Sequence, residues 1–186
     1  AFGTGLAANA AVIDYRLRRT GYPSLPDLDT LAVALFSDWD IGLSGAINVT
    51  RFDTASRTAI THRLEAGYPY VGVKVISPIP DGAVLQYHAI QNNGNAGDIN
   101  TYSSYTKAAK WRSMNEWYPA TGPADVSHTM GLRSLRLPPG DSAEMTLVIA
   151  LGETEAALKQ SIDLATVLWA SPSSVAARSI GLGSAA

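Results

Sequence analysis

The chain has 186 residues, 46% of them hydrophobic, a length and composition typical of one domain with a sizeable core. The formal net charge is -2 and no block of basic residues occurs, which argues against nucleic acid or an anionic membrane surface as a partner. Cysteine is absent, which excludes disulfides and thiolate chemistry, and no apolar run is long enough to predict a membrane span.

We expect a single domain over residues 1–186, with extended or flexible ends at 1–10 and 173–186. The first ten residues lack the basic start and the hydrophobic segment of an intact signal peptide. The last fourteen are small and polar apart from Val175, Ile180 and Leu182. This end is therefore expected to be either a docked extension or disordered.

The first two strands are predicted from different patterns. Residues Ala11–Arg18 alternate apolar and charged side chains, which is typical of a strand with one face in water. A turn region with Gly21 and Pro23 follows. The apolar run Leu31–Phe36 then predicts a central strand buried on both faces, and we expect it to pair with the first strand in an antiparallel manner.

Four more strands are predicted in the middle of the chain. Segments Ile47–Phe52 and Arg57–His62 flank four turn residues and predict a hairpin. Segment Tyr70–Ser77 has valines on one face and Gly72 and Lys74 on the other, which predicts that only one side is covered. Segment Ala83–Ile90 alternates again and predicts a further strand.

A loop and a helix are predicted next. Residues Asn92–Asp98 are polar and rich in glycine, which predicts a surface loop. Segment Ser103–Trp117 fits a short helix better than a strand, with Ser103 or Ser104 as the N-cap.

The last part of the chain predicts a hairpin and a second helix. Segments Met130–Leu137 and Ala143–Leu151 flank a Pro-Pro-Gly-Asp turn. The helix that follows has one apolar stripe, formed by Leu158, Ile162, Ala165 and Trp169. Together these elements predict a mainly β fold: an antiparallel β-sandwich with one short helical insertion and a C-terminal amphipathic helix packed on a sheet.

The sequence around Asp38 offers a candidate cation site. The pattern Asp38-x-Asp40-x-Gly42 resembles the start of a calcium loop, because alternating side chains on a tight loop can converge on one hard cation. The bidentate Glu that would complete such a loop is missing. Calcium at Asp38 and Asp40 and plain turn capping by the two aspartates therefore both remain open.

No pattern in the sequence predicts an enzyme. The three histidines, His62, His88 and His128, are far apart and none has a second metal ligand at helical spacing. The Gly-x-Ser-x-Gly pattern of many serine hydrolases is absent. We therefore predict a protein without catalytic residues. Calcium, in one of the two interpretations above, is the only cofactor that we predict.

Four aromatic side chains form a candidate binding surface, namely Trp39, Trp111, Trp117 and Tyr118. Aromatic faces bind sugars and protein partners, but aromatic residues mostly serve packing. Burial against the sheet and a ligand-binding role are the two interpretations.

The order of these segments resembles a known family. The stretch Ser37–Gly42, which contains Asp-Trp-Asp-Ile-Gly, resembles the end of a strand in a β-rich accessory domain found downstream of subtilisin-like serine peptidase domains in secreted bacterial proteins. Segments Tyr70–Val75, Lys107–Met114 and Leu137–Ser142 follow in the expected order. The resemblance implies a non-catalytic extracellular module and carries no catalytic residue onto this chain.

These observations favour an extracellular accessory or adhesion module that contacts a protein partner or its own neighbouring domain. One alternative is a structural subunit whose copies self-assemble, as a homo-oligomer, into an extracellular filament or layer through its apolar small-residue ends. A second alternative is a carbohydrate-binding module.

Overall fold

The computed structural model describes residues 9–20, 26–94, 99–103 and 105–171. Nine strands, two α-helices and one short 3-10 helix (Gly45–Ile47) lie in these residues. Their bounds are β1 (Ala10–Arg18), β2 (Leu28–Asp38), β3 (Asn48–Asp53), β4 (Thr58–Arg63), β5 (Tyr70–Val75), β6 (Val84–Gln91), α1 (Lys107–Asn115), β7 (Ala120–Ala124), β8 (Val126–Leu137), β9 (Ser142–Gly152) and α2 (Glu155–Ala170). None of these helices has the length and apolarity that a membrane crossing requires.

The strands form two antiparallel sheets that share one core. The six-stranded sheet has the order β1-β9-β5-β4-β3-β7, and the three-stranded sheet has the order β2-β8-β6. The core contains Val73, Met145 and Leu147 from the first sheet and Tyr87, Met130 and Leu132 from the second. The predicted mainly β, antiparallel sandwich is therefore confirmed, as is the hairpin of β3 and β4.

One long two-stranded ribbon connects the two sheets. Strand β1 runs antiparallel to β9 in the first sheet, and β2 runs antiparallel to β8 in the second. At the corner between the sheets, the Arg19 N–H donates to the Asp141 carbonyl and the Gly140 N–H donates to the Arg19 carbonyl, both at 3.0 Å. Gly140 adopts a φ of 83°, which glycine reaches without a steric penalty. The ribbon thus turns from one sheet into the other.

Two predicted strand pairings are wrong. Strands β1 and β2 do not pair with each other, and β8 and β9 do not form a hairpin, because the members of each pair belong to different sheets. The sequence predicted the four strands and the turn at residues 138–141 correctly, whereas the predicted turn at 21–25 lies outside the described residues. A polar turn has the same composition whether it joins neighbouring strands or carries the chain across the sandwich, so the pattern could not distinguish the two cases.

The prediction that Leu31–Phe36 is central and buried on both faces is also wrong. This segment lies in β2, which is an edge strand, and β8 is the central strand of that sheet. One face of β2 packs on the core through Leu31 and Val33. The other face lies next to α1, where the Phe36 ring is 5.0 Å from the Tyr105 ring but remains 37% exposed. Partial cover on both faces explains the continuous apolar run.

Helix α2 covers the outer face of the six-stranded sheet. The Thr154 hydroxyl caps it by accepting from the Ala157 N–H at 3.1 Å, and the predicted amphipathic helix is confirmed. Leu158 and Ile162 are buried against Gly72 of β5, where a Cβ atom would lie 3.0 Å from Leu158 Cδ2. The expectation that this strand has only one covered face is therefore wrong, because the missing side chain of Gly72 makes room for the helix.

Helix α1 is shorter than predicted, and its cap is different. Thr106 is the N-cap, and its Oγ1 accepts from the Ala109 N–H at 3.1 Å. Ser103 is therefore not the cap, and Ser104 lies outside the described residues. Strand β7 was not predicted, because Gly122 and Pro123 in its short sequence are typical of a turn.

Several predictions fall on residues that the structure does not describe. They concern the ends at 1–8 and 172–186, the turn at 21–25 and the loop residues 95–98. Those predictions remain predictions.

Candidate functional site

An asparagine gathers two distant carboxylates at one end of the three-stranded sheet. Asp38 ends β2, and Asp125 immediately precedes β8. The Nδ2 of Asn92, which follows β6, lies 3.1 Å from Asp38 Oδ1 and 2.8 Å from Asp125 Oδ1. Asn92 is itself buried, and the Ser127 hydroxyl donates to its Oδ1. The predicted surface loop therefore begins with a buried structural residue.

Asp40 adds a third carboxylate to this group. A Cβ atom on the buried Gly45 would lie 2.7 Å from Asp40 Oδ1 and 3.1 Å from Asp125 Oδ1, so both carboxylates border the same small space. The Tyr102 hydroxyl donates to Asp125 Oδ2. We call Asp38, Asp40 and Asp125 the acidic cluster. No ion pair within the described part of the chain involves any of its members.

The pKa values of Asp38 and of the neighbouring Tyr102 are both raised in this group. Burial raises the pKa of Asp38, the hydrogen bond from Asn92 opposes the rise, and the negative charges of Asp125 and Asp40 add to it. The hydrogen bond to Asp125 raises the pKa of Tyr102 to about 12. An added cation would relieve the repulsion among the carboxylates.

The structure thus brings the two predicted calcium ligands close to a third carboxylate that the sequence analysis missed. Asp125 lies far from Asp38 in the sequence, and only the pairing of β2 with β8 reveals their proximity. Within the described ranges, no three His, Cys, Asp or Glu side chains form a group arranged to hold a metal ion. Calcium at Asp38 and Asp40 stays a prediction.

A second polar group lies between the two sheets. The Thr50 hydroxyl, on β3, is 2.9 Å from the Tyr87 hydroxyl and 3.1 Å from His128 Nδ1, both on the opposite sheet. The Thr61 hydroxyl, on β4, donates to Thr50 Oγ1 at 2.9 Å. We call these four residues the inter-sheet network. All four are buried, so the network joins the sheets away from solvent.

Burial controls the chemistry of the inter-sheet network. It lowers the pKa of His128 to about 3, so the ring is neutral at physiological pH. It also raises the pKa of Tyr87 well above its usual range, although the hydrogen bond with Thr50 opposes the rise. A histidine beside hydroxyl groups can activate a nucleophile, but here no substrate can reach them. The geometry supports a structural role.

The other two histidines contact aromatic rings. The His62 ring stacks on Tyr70 with 5.0 Å between centroids and an angle of 9°. His88 Nδ1 lies 2.7 Å from the Glu116 carbonyl, and its ring stacks on Tyr118 at 5.7 Å. The three histidines therefore occupy three separate environments.

Two of the predicted aromatic residues are both exposed and held in place. Trp117 is 45% exposed, and its ring lies 4.9 Å from Phe52 in an edge-to-face contact. Tyr118 is 42% exposed, and its backbone is bound to β6, where its carbonyl accepts from the Ala89 N–H at 2.9 Å. We call Trp117 and Tyr118 the aromatic pair. It lies beside the β6 edge of the three-stranded sheet.

The other two predicted aromatic residues differ from the pair. Trp111 lies on α1 and is 53% exposed. Trp39 is half-buried and packs against the core, and its carbonyl accepts from Asn48 Nδ2 at 2.9 Å. Trp39 therefore does not share one exposed face with the other three residues.

The predicted site residues are therefore divided between the acidic cluster, the aromatic pair and isolated positions. No known protein family and no curated protein matches this chain. A functional assignment has to come from the geometry of these groups.

Proposed function

We propose that this protein is a non-catalytic extracellular accessory or adhesion module of a secreted protein, which acts through surface contacts. The aromatic pair carries the proposal. Trp117 and Tyr118 expose large parts of their rings, yet Phe52 and His88 pack against them. Rigid exposed aromatic rings lose little entropy on binding, and tryptophan and tyrosine dominate the binding energy of many protein interfaces.

The chemistry of the interior supports a role without catalysis. His128 has hydroxyl neighbours, but it is fully buried and neutral. His62 and His88 contact aromatic rings, which is typical of packing. A module of this kind contributes recognition, while any catalysis belongs to its partner.

The resemblance of Ser37–Gly42 to accessory domains of secreted bacterial proteins supports the extracellular location and the choice of partner. We propose a subtilisin-like peptidase domain, on the same polypeptide or a separate one, as the partner. The mixed character of the aromatic pair fits such an interface, because each ring offers apolar area together with one hydrogen-bonding group.

The proposal is tested by a binding titration. The chain is labelled with a fluorophore, and its anisotropy is followed as a purified subtilisin-like peptidase domain from the same organism is added. We expect Trp117→Ala and Tyr118→Ala each to weaken binding by about tenfold or more, the usual loss at an interface hot spot. Trp111→Ala is the matched control, because Trp111 is similarly exposed on the neighbouring helix.

Two results would contradict the proposal. One is equal binding by all three variants and the parent chain, with folding of each verified by its melting curve. The other is turnover of peptide, ester or glycoside substrates by the chain alone, at a rate that His62→Gln or His88→Gln abolishes.

Carbohydrate binding is the second candidate, since exposed aromatic rings also stack on sugar rings. It predicts a change in tryptophan fluorescence during titration with soluble polysaccharides, and Trp117→Phe should remove that change. No response across cellulose, chitin and xylan oligosaccharides would exclude this candidate for those sugars.

A further inference from the structure

The edges of the two sheets are not equally protected. An unprotected edge exposes backbone N–H and C=O groups to pairing with another chain, so proteins usually protect edges with charge, proline or a covering segment. Strand β1 carries Asp14, Arg16 and Arg18. Strand β7 contains Pro123, which has no N–H to donate. Strand β6 is covered by the segment that contains the aromatic pair, because the Ala89 N–H donates to the Tyr118 carbonyl.

Within the described residues, strand β2 is less protected than these three edges. It is eleven residues long, contains no proline, lysine or arginine, and has Asp29 and Asp38 as its only charged residues. In the part of the chain that the structure describes, β2 pairs only with β8. Its register shifts lie between Leu28 and Val33, which leaves Val33–Asp38 regularly paired. Among the described residues, a regular apolar edge is therefore available on one side of the three-stranded sheet.

The composition of β2 is compatible with a strand that is paired on both sides. Its apolar run Leu31–Phe36 is typical of a strand inside a sheet, and it led to the prediction that this strand is central. In the single chain the same strand lies at an edge, and Phe36 remains partly exposed. Pairing with another strand would give β2 the central position that its composition fits.

We propose that β2 pairs antiparallel with β2 of a second copy of this chain, which joins two three-stranded sheets into one. A two-fold axis through Leu35 would pair each strand with itself and keep the core faces on one side. In this register Val33 of one copy faces Ser37 of the other, and Ala34 of one copy faces Phe36 of the other. Asp38 faces Ala32, so no like charges meet.

The second copy leaves the proposed binding site free. Strands β2 and β6 are opposite edges of the same sheet, and the aromatic pair lies beside β6. Dimerisation would therefore present two copies of the aromatic pair and raise avidity for a partner with repeated sites. The pairing does not depend on the proposed function, and either can fail without the other.

Sedimentation velocity tests the pairing. From about 1 to about 300 micromolar, we expect a shift from monomer to dimer that stops at the dimer, because a two-fold interface is closed. Ala34→Glu, which puts a carboxylate diagonally opposite Asp38 of the second copy, should weaken the dimer by about tenfold or more. Tyr15→Glu is the matched control, because it adds the same charge to the exposed edge β1, and should leave dimerisation unchanged.

Hydrogen exchange covers the case in which Ala34→Glu fails to fold. In the unmodified chain, amides of Val33–Asp38 should exchange several-fold more slowly at high concentration than at low concentration, while those of β1 should not change. A monomer over the whole concentration range would overturn the proposal. Growth beyond the dimer, or equal loss of dimer in Tyr15→Glu, would overturn it as well.

Discussion

The Thr50 hydroxyl lies 3.1 Å from His128 Nδ1 across the interface between the two sheets. Thr50 also contacts the hydroxyls of Tyr87 and Thr61, so it is the centre of the inter-sheet network. Its loss would leave the buried Tyr87 hydroxyl without its partner and leave His128 Nδ1 with only the longer contact to the Thr61 hydroxyl, at 3.4 Å. A buried polar group that loses its partner costs more than the net value of the hydrogen bond.

We predict that Thr50→Val lowers the free energy of unfolding by about 1–3 kcal/mol, the cost of leaving buried polar groups unsatisfied. Thr61→Val should cost less, because Thr61 contacts the network mainly through Thr50. Urea denaturation of both variants provides the comparison. An equal or larger loss for Thr61→Val would show that Thr50 is not the centre of the network.

The buried imidazole predicts a loss of stability in mild acid. The pKa of His128 falls from its ordinary value of 6.5 to about 3 in the folded chain, because of burial. Below pH 6.5 the unfolded chain therefore binds a proton that the folded chain does not, and stability falls as the pH drops toward 3. Between pH 7 and pH 5 the loss from His128 should be about 2 kcal/mol.

Proton NMR checks this directly through the titration of the His128 ring. Its Cε1–H signal should stay constant between pH 8 and pH 5, whereas the ring of an exposed histidine titrates near pH 6.5. A midpoint near 6.5 for His128 would mean that the ring is reached by solvent. His128 would then not be buried between the two sheets.

The contact between α2 and the six-stranded sheet predicts a third result. Leu158→Ala should lower the free energy of unfolding by about 2–5 kcal/mol, because it removes a fully buried side chain and leaves a cavity. Val167→Ala on the same helix is the control. Val167 is 66% exposed, so this change should cost about 0.5 kcal/mol or less.

These elements show what the sequence could and could not predict about the fold. The stripe that contains Leu158 repeats at helical spacing, so both the helix and its buried face were predictable. The packing of α2 over Gly72 was not predictable, because a glycine in a strand does not indicate whether a helix packs above it. The corner at Arg19 was not predictable either, since it is defined by backbone bonds to Gly140 and Asp141.

The acidic cluster predicts a response to calcium. If calcium binds there, Asp38→Asn combined with Asp40→Asn should lower the melting temperature in calcium but not in a chelator. In the chelator the double variant should be at least as stable as the parent at neutral pH, because burial and the neighbouring carboxylates already raise the pKa of Asp38. Equal shifts in both conditions would assign the two aspartates to turn capping alone.

For the site, the sequence supplied the residue types but not their grouping. Asp38 and Asp40 stood out because they follow an apolar run, whereas Asp125 and Asn92 join them only through strand pairing and one side-chain amide. Trp39 and Trp117 looked equivalent in the sequence. One packs against the core and the other is exposed, because inward and outward positions depend on the local path of the chain.

The most direct test of the proposed function is a hydrogen-exchange footprint of the chain in complex with a subtilisin-like peptidase domain. The proposal predicts slower exchange in the complex at residues 117–118 and in β6 beside them, with little change in α2 on the far sheet. Protection confined to α2 or to the outer face of the six-stranded sheet, with no change at Trp117 and Tyr118, would contradict it.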